Sequence, residues 1–261
     1  MNVTILCRYL NSDYARAVLR ALNASGMTGV NVVAAEAVTP RNLDALWRTH
    51  GWRLPLVAAR HLLLPLRGAA RRAVSKNGAA AGPTLQSETI AQGGRFIAVE
   101  EINGEASCKA LRELATDLTI LAGTPIIRPP VLEVPRIGTL NAHQGELPRF
   151  RGMNVIEWSI FEGAAPTITI HFVDPGVDTG DIVAEERIPL RPGDTLITVK
   201  QRAGEQQVEM LARVAAQALA GTLSRRPQRV QDGQQYFIMH PKLRTIAEKR
   251  LQQRLRRPAG A

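Results

Sequence analysis

The sequence has few cysteines, few aromatic residues and no long uncharged apolar run, and each shortage excludes a class of protein. Cys7 and Cys108 are its two cysteines, too few for a disulfide framework, and they indicate buried thiols in a reducing cytoplasm. Aromatic residues make up 4% of the 261 residues, whereas alanine and arginine are abundant, which suits a GC-rich bacterial genome. The N-terminus lacks a basic leader followed by an apolar segment, so no signal peptide is predicted.

Several binding signatures are also missing. The first predicted strand is not followed by G-x-G-x-x-G, which argues against a nicotinamide dinucleotide site. His61 and His171 have no histidine or cysteine at metal-ligand spacing, so the sequence predicts no metal site. The stretch 52–76 is interrupted by five arginines and two prolines. It is therefore too charged to cross a bilayer, which takes about 20 mostly apolar residues.

Positive charge is in excess, because 33 lysines and arginines stand against 23 acidic residues and give a net charge of +10. Such a balance attracts nucleic acid, phosphorylated substrates or an anionic membrane surface. Many of these charges lie in 41–76 and 223–257, so a solvated surface is the alternative. For 52–76 we predict a helix that packs its leucines on the protein while its arginines reach water. The alternative is a basic amphipathic helix on a membrane or an acidic partner.

The chain begins with a β-α-β pattern, which predicts a parallel, Rossmann-like sheet. A strand at 3–7 is followed by a helix at 14–22, capped by the preceding Asn-Ser-Asp, and by a strand at 30–34. The residues of this helix that share one apolar face are Ala15, Val18, Leu19 and Leu22. The stretch 76–94 has loop composition and is interpreted as a flap or a linker. Further strands are predicted at 95–99, 116–123, 137–140, 167–173, 182–184 and 187–190, and further helices at 106–114, 131–134, 192–220 and 243–257.

The stretch 137–181 carries the side chains with the clearest chemistry. Its first strand runs into Asn141 and His143, which lie on the same face because side chains alternate along a strand. The strand at 167–173 is followed by D-P-G-V-D-T-G-D, whose turn-forming residues predict a tight loop that presents Asp178. An amide, an imidazole and a carboxylate on neighbouring strand ends are the groups that acyl transfer requires.

The order N-x-H, L-P-R-F-R-G and V-D-T-G-D resembles the folate-dependent formyltransferases, most strongly over 116–189. This family includes methionyl-tRNA, glycinamide ribonucleotide and amino-sugar formyltransferases. The resemblance implies a Rossmann-like α/β fold, with a mostly parallel sheet flanked by helices and a short C-terminal extension of helix and strand. It also implies that Asn141, His143 and Asp178 form a catalytic triad.

The same resemblance implies N10-formyltetrahydrofolate as the formyl donor and no metal. An amine would attack the formyl carbon while Asn141 and His143 hold the oxyanion. Asp178 would orient the imidazole or hold a water, and a proton would pass from the amine to the departing folate N10. The residues expected to bind the donor are Pro125, Ile126, Ile127, Arg128, Asp174, Gly176 and Val177. Those expected to bind the acceptor are Asn11, Ser12, Arg149 and Arg151.

Several assignments have plainer alternatives. Residues 125–128 alternatively connect a strand to a short helix, Ser12 alternatively caps its helix, and Arg151 alternatively bonds backbone carbonyls. The sequence also departs from the family twice. The usual Ser-Leu-Leu-Pro is G-E-L-P at 145–148, and the glycine usual before the second strand is Thr167. Both departures leave the acceptor open.

For the acceptor, the resemblance favours a small anionic amine, above all a nucleotide-linked amino sugar. Methionyl-tRNA formyltransferases carry a further C-terminal barrel domain, and the residues after Gly221 are too few for one, so no nucleic-acid partner is expected. The alternatives are glycinamide ribonucleotide, a hydroxyornithine, a deformylase in which water is the nucleophile, and a non-catalytic basic RNA- or membrane-binding relative. The expected organisation is a catalytic domain at 1–221 with an atypical basic insertion at 52–94, a basic extension at 222–261, and a homodimer.

Overall fold

The computed structural model describes residues 1–35 and 83–256. The predictions for the basic stretch 52–76, for His61 and for the first part of the 76–94 loop lie outside these residues.

A central, mostly parallel sheet organises the described residues. The strands are β1 (Val3–Cys7), β2 (Asn31–Ala35), β3 (Phe96–Val99), β4 (Leu118–Ala122), β5 (Gly138–His143), β6 (Phe150–Gly152), β7 (Thr167–Phe172), β8 (Ile182–Arg187) and β9 (Gln234–Tyr236). In the described ranges, seven of them form one sheet in the order β3-β2-β1-β4-β5-β7-β8, and β6 and β9 form a separate parallel pair. The pairings from β3 to β5 are parallel, whereas β7 runs antiparallel to both of its neighbours. The predicted α/β fold with a mostly parallel sheet is confirmed.

Helices cover both faces of this sheet. They are α1 (Asp13–Ala24), α2 (Leu85–Ala91), α3 (Glu105–Glu113), α4 (Pro129–Leu132), α5 (Val155–Phe161), α6 (Leu196–Leu219) and α7 (Pro241–Arg256). On β1, Ile5 joins a core cluster with α1, α6 and α7, while Leu6 joins a second cluster with α3 and α4. β1, β2 and β4 are buried along their whole length, as parallel strands covered on both faces must be. Within 1–35 and 83–256, no helix is long and apolar enough to cross a bilayer.

Helix α1 follows the prediction closely. The Ser12 side chain accepts a hydrogen bond from the backbone N–H of Ala15 at 3.2 Å, so it caps the helix as a serine at this position is expected to do. The buried residues of the helix are Ala15, Val18, Leu19 and Leu22, the predicted apolar face.

Helix α2 lies inside the stretch that was predicted to be a loop, so the loop prediction is wrong for 85–91. A capping box starts the helix: the Thr84 hydroxyl accepts from the Ser87 N–H at 3.1 Å, and the Ser87 hydroxyl accepts from the Thr84 N–H at 2.8 Å. Arg20 of α1 then donates from Nε to Glu88 at 2.8 Å. Arg20 lies 68 residues earlier in the chain, so local composition carries no signal for this anchor.

One more local prediction differs from the structure. The strand pair predicted at 182–190 is one strand, β8, which ends at Arg187. The second predicted strand, 187–190, contains Pro189, which cannot donate to a sheet ladder. The elements β6 and α5 were not predicted. β6 has three residues and is paired with β9, which lies far along the chain.

The C-terminal segment packs back onto the middle of the chain. β9 pairs with β6, and the Tyr236 ring stacks on the Phe150 ring with centroids 5.3 Å apart. Helix α7 buries Ala247 and Leu251 in the main core cluster. Residues beyond 221 therefore support the segment around 150–161, and a division of the chain at 221 stays a prediction.

Because β4 lies at the centre of the sheet, we predict that its buried side chains contribute strongly to stability. Ile120 is fully buried on this strand, and Ile120→Ala should lower the free energy of unfolding by about 2–5 kcal/mol because it leaves a cavity in a closely packed core. The matched control is Ile197→Ala on α6, where the side chain is 69% exposed and the loss should be small. Urea unfolding of both variants gives the comparison, and equal losses would contradict the described packing.

Candidate functional site

The site lies where β5 ends beside β7. Asn141 and His143 alternate along β5, and the antiparallel pairing sets Asn141 opposite His171 and His143 opposite Thr169. Directly opposed residues of antiparallel strands project to the same face of the sheet. The strand register therefore brings an amide and two imidazoles to one face, and the second imidazole, His171, was not assigned to the site from the sequence.

Asp178 reaches this face from the loop between β7 and β8. Its backbone has φ +54°, a left-handed conformation that is uncommon for residues other than glycine. Asp174 holds the loop, since its carboxylate accepts from the Gly176 N–H at 3.1 Å and the Thr179 hydroxyl at 2.6 Å. Gln228, from the C-terminal segment, donates to the Asp178 carbonyl at 3.2 Å. These contacts fix a strained conformation at the residue that the site needs.

The carboxylate of Asp178 lies between the two histidines. Its Oδ2 is 3.4 Å from Nδ1 of His143, and its Oδ1 is 3.6 Å from Nε2 of His171. The backbone N–H of Gly152 donates to Oδ2 at 2.9 Å. Nδ2 of Asn141 lies 3.1 Å from Nε2 of His171. The structure thus brings together the three residues predicted as a triad, with His171 as a fourth member.

Backbone carbonyls determine which ring nitrogens carry hydrogen. Nε2 of His143 is 2.7 Å from the carbonyl of Phe150, and Nδ1 of His171 is 2.7 Å from the carbonyl of Phe172. A carbonyl only accepts, so each of these nitrogens must donate. In the neutral rings, Nδ1 of His143 is left as a proton acceptor facing Asp178, and Nε2 of His171 accepts from Asn141.

The titration behaviour of the site follows from its burial. Burial lowers the pKa of His143 below its usual 6.5, although the charge of Asp178 raises it in part. Burial raises the pKa of Asp178, but the rings of His171 and His143 in their protonated form and the Gly152 N–H together outweigh that effect and lower it to about 2. At neutral pH, a neutral imidazole therefore stands beside an ionised carboxylate.

A cleft of about 420 Å³ opens beside Asn141 and His143, a volume that accommodates a small ligand. Amide side chains form part of its wall: Gln144 donates to Gln207 at 2.9 Å, and Gln207 donates to the Ala142 carbonyl at 2.6 Å. Its lining also includes Tyr14, Glu157 and Lys200.

The predicted donor-binding segment 125–128 is held by a residue that sequence reasoning missed. Asn103 donates to the Ile126 carbonyl at 2.9 Å and accepts from the Arg128 N–H at 2.8 Å. The Ile126 side chain is 65% exposed on this braced loop. Ile127 was expected to line a pocket, but its side chain is 2% exposed and packs in the core cluster of α3 and α4. The prediction that the Ile127 side chain lines a pocket is therefore wrong, because neighbouring side chains in this loop point in alternate directions and that of Ile127 points into the core.

The four predicted acceptor-binding residues differ in burial and in the groups that they contact. Arg151 is buried, and its guanidinium lies 3.5 Å from the Val177 carbonyl, so it contacts the loop that carries Asp178. Arg149 is exposed and lies over the Phe150 ring at 4.9 Å. Asn11 is exposed and Ser12 caps α1, and neither lines the 420 Å³ cleft. Among the described residues, no group of three or more acidic, histidine or cysteine side chains is placed to hold a metal ion.

Comparison with known proteins connects this geometry to one family. A sequence model described as "Formyl transferase" matches residues 72–215, more than half of the chain. A methionyl-tRNA formyltransferase from Koribacter versatilis is 33% identical over 128 residues, which cover 48% of this chain and 41% of that protein. The chain thus matches about two fifths of the length of this relative.

Solved structures share the fold. Glycinamide ribonucleotide transformylase 1 from Symbiobacterium toebii superposes with a TM-score of 0.57 at 19% identity, covering 88% of this chain and 94% of that one. An N-formyltransferase from Helicobacter canadensis, solved with folinic acid and dTDP-3-aminofucose, gives a TM-score of 0.56 at 12% identity and covers 96% of this chain and 80% of that one. At these identities, the likeness demonstrates the fold alone.

The tight turn after His143 makes a prediction about Gly145. A Cβ at this position would lie 2.7 Å from the Phe150 carbonyl oxygen, 2.9 Å from Nε2 of His143 and 3.0 Å from Val155. Gly145→Ala should therefore disturb the hydrogen bond between His143 and Phe150 and shift the imidazole resonances of His143 in NMR spectra. Gly204→Ala, where a Cβ meets nothing within 4 Å, should leave them in place. Unchanged His143 resonances in Gly145→Ala would contradict the described turn.

The coupling between His143 and Asp178 makes a second prediction. Asp178→Asn removes the negative charge that raises the pKa of His143, so NMR titration should find that pKa lower still in the variant. The folded-state pKa of Asp178 is about 2, below its usual 3.8. The ionised carboxylate should therefore stabilise the wild type above about pH 4, and this contribution to the free energy of unfolding should be lost as the pH falls toward 2. The variant should lack this part of the pH dependence. Asp13→Asn, at a side chain 95% exposed, is the control, and a raised His143 pKa in Asp178→Asn would refute the coupling.

Proposed function

The chain belongs to the formyl transferase family, and we propose that it transfers a formyl group from N10-formyltetrahydrofolate to the amine of a small phosphorylated acceptor, most naturally a nucleotide-linked amino sugar. The observation that carries the proposal is that Asn141 and His143 line a polar cleft while Oδ2 of Asp178 lies 3.4 Å from Nδ1 of His143. A neutral imidazole beside a carboxylate supplies a base, and a carboxamide supplies a donor for a developing oxyanion.

In the proposed reaction, the acceptor amine attacks the formyl carbon of the donor. One N–H of Asn141 engages His171, and the other donates to the oxyanion of the tetrahedral intermediate. Nδ1 of His143 takes the proton that the amine loses, and Asp178 stabilises the resulting imidazolium. The proton then passes to N10 as the carbon–nitrogen bond to the folate breaks, leaving a formamide and tetrahydrofolate.

The contact with Phe150 restricts the role of His143. The N–H of its neutral ring is already donated to a carbonyl, so the ring holds no oxyanion in that state. After Nδ1 is protonated, its new N–H lies near Asp178 and is the one N–H that the ring could still donate to the oxyanion. The oxyanion role predicted for His143 therefore applies to the protonated ring, while Asn141 acts throughout.

For the donor, we propose that the 125–128 loop and the residues Asp174, Gly176 and Val177 bind the folate. The braced loop presents the exposed side chain of Ile126, an apolar surface of the kind that a flat pteridine ring packs against. The Helicobacter canadensis protein of the same fold was solved with folinic acid, a formylated folate, which supports this choice of donor.

For the acceptor, we propose a small anionic amine that binds in the cleft, and we keep Asn11, Ser12, Arg149 and Arg151 as the proposed acceptor-binding residues. The Helicobacter canadensis protein was solved with dTDP-3-aminofucose, which favours an amino-sugar acceptor. Methionyl-tRNA is the second candidate, because the Koribacter versatilis relative carries that name. The matched part covers 41% of that relative, so its acceptor does not transfer to this chain on similarity alone.

We further propose that 1–221 forms the catalytic domain, with the basic insertion at 52–94, and that 222–261 forms an extension that braces it. We also propose that the protein is a cytoplasmic bacterial enzyme that functions as a homodimer.

Activity measurements test this mechanism directly. The wild type should release tetrahydrofolate from N10-formyltetrahydrofolate when an acceptor from a panel of nucleotide amino sugars, glycinamide ribonucleotide and methionyl-tRNA is supplied. Asn141→Ala should lower the rate about 10²–10³-fold, the usual cost of one oxyanion donor. His143→Ala should abolish measurable release, and His240→Ala, at an exposed histidine, should match the wild type.

Two outcomes would contradict the mechanism. Equal rates for His143→Ala and the wild type would exclude His143 as the base. Turnover without any amine would identify a deformylase in which water is the nucleophile.

A further inference from the structure

Gln228, in the C-terminal segment, reaches across to the loop that carries Asp178. Its Nε2 donates to the carbonyl of Asp178 at 3.2 Å and also donates to the carbonyl of Gly180. A carboxamide nitrogen carries two hydrogens, and a carbonyl only accepts. Both N–H donors of Gln228 are therefore used on the backbone of this one loop.

The backbone next to Gln228 is tied to the end of the same loop. Arg226 and Ile182 exchange two backbone hydrogen bonds, of 2.8 and 2.9 Å, in an antiparallel bridge. Ile182 is the first residue of β8, so the loop ends where this bridge begins. The bridge keeps Gln228, two residues further along, within reach of the loop carbonyls.

The two bonds flank the point at which the loop backbone is strained. Asp178 has φ +54°, a conformation that costs free energy for a residue with a side chain. A return of Asp178 to the right-handed region would rotate the adjoining peptide groups and turn the carbonyls away from Gln228. Two hydrogen bonds contribute a stabilisation similar in size to the cost of such strain, so Gln228 can offset it.

Other side chains hold different parts of the loop. The Asp174 carboxylate accepts from the Gly176 N–H at 3.1 Å, which closes the turn before the strained residue. Arg151 lies 3.5 Å from the Val177 carbonyl, at the limit of hydrogen bonding. Neither contact involves the carbonyl of the strained residue itself, which Gln228 binds.

The carboxylate of Asp178 depends on this backbone conformation. Its Oδ2 lies 3.4 Å from Nδ1 of His143 and accepts from the Gly152 N–H at 2.9 Å. The directions open to a side chain follow from the backbone dihedrals of its residue. A change of backbone conformation at Asp178 would therefore move the carboxylate away from the imidazole.

We infer that Gln228 is a positioning residue, whose two N–H donors hold Asp178 in the conformation that keeps the carboxylate beside His143. Gln228 does not line the cleft, so it acts through Asp178 and not on a ligand. Its role in formyl transfer rests on the proposed function, whereas its effect on the geometry of His143 and Asp178 does not. The proposed extension at 222–261 then contributes to the site as well as to the core.

The test is a double-mutant cycle that follows the pKa of His143 by NMR. Asp178 and His171 are the ionisable groups whose charges act on this ring, and of the two the carboxylate raises its pKa. Gln228→Met keeps the size of the side chain and removes both donors, so the His143 pKa should fall by at least half of the fall that Asp178→Asn produces. In the Asp178→Asn background, Gln228→Met should cause no further change. Gln231→Met, at an exposed glutamine of the same segment, is the matched control and should leave the pKa unchanged.

The rate of tetrahydrofolate release gives a second readout, with the same panel of acceptors. Gln228→Met should lower kcat about tenfold, a part of the 10²–10⁴-fold that a positioned base contributes. The KM of the acceptor should change little, because the substitution lies outside the cleft.

Two results of the cycle would overturn the inference: an unchanged His143 pKa in Gln228→Met, or an equal fall in the Asp178→Asn background. A measurement on the wild type decides the matter if Gln228→Met does not fold. The side-chain amide hydrogens of Gln228 should exchange with solvent more slowly than those of Gln231, and equal exchange would also overturn the inference. A wild type that shows this coupling but formylates no acceptor of the panel would contradict the proposed function alone.

Discussion

The hydrogen bond from Nε2 of His143 to the Phe150 carbonyl is the interaction on which the rest of the site depends. At 2.7 Å, it places the hydrogen of the neutral ring on Nε2 and leaves Nδ1 as a base facing Asp178. The carbonyl reaches the ring because the chain turns back tightly between β5 and β6, and Gly145 leaves the space for that turn. The glycine that departs from the serine usual in the family is thus a geometric requirement here.

The ionised state of Asp178 comes from the parts of the chain that surround it. A carboxylate at a left-handed backbone position, held among buried rings, is unfavourable unless its neighbours compensate. Gly152 donates to the carboxylate, and Gln228 donates to the Asp178 backbone carbonyl. The strand that contains Gly152 is in turn paired with β9, so the C-terminal segment stabilises the loop that carries Asp178 as well as the core.

Sequence patterns predicted the parts of the site that depend on neighbours close in the chain. Strand alternation placed Asn141 and His143 on one face, and the N-terminal cap and the apolar face of α1 were predicted correctly. The missed features depend on distant partners. His171 enters the site through the β5–β7 register, Asn103 in the turn before α3 holds the 125–128 loop, and Glu157 pairs with cations on α6 and α7. Such contacts leave no local pattern in the sequence.

The negative charge of Asp178 raises the pKa of His143, but burial lowers it and has the larger effect. The central claim is that His143 rests as a neutral base with its hydrogen on Nε2. The most direct test is nitrogen-15 NMR of the His143 ring at pH 7. We predict the shifts of a neutral imidazole protonated at Nε2, with Nδ1 bare. A ring protonated on both nitrogens, or a neutral ring with its hydrogen on Nδ1, would contradict the account.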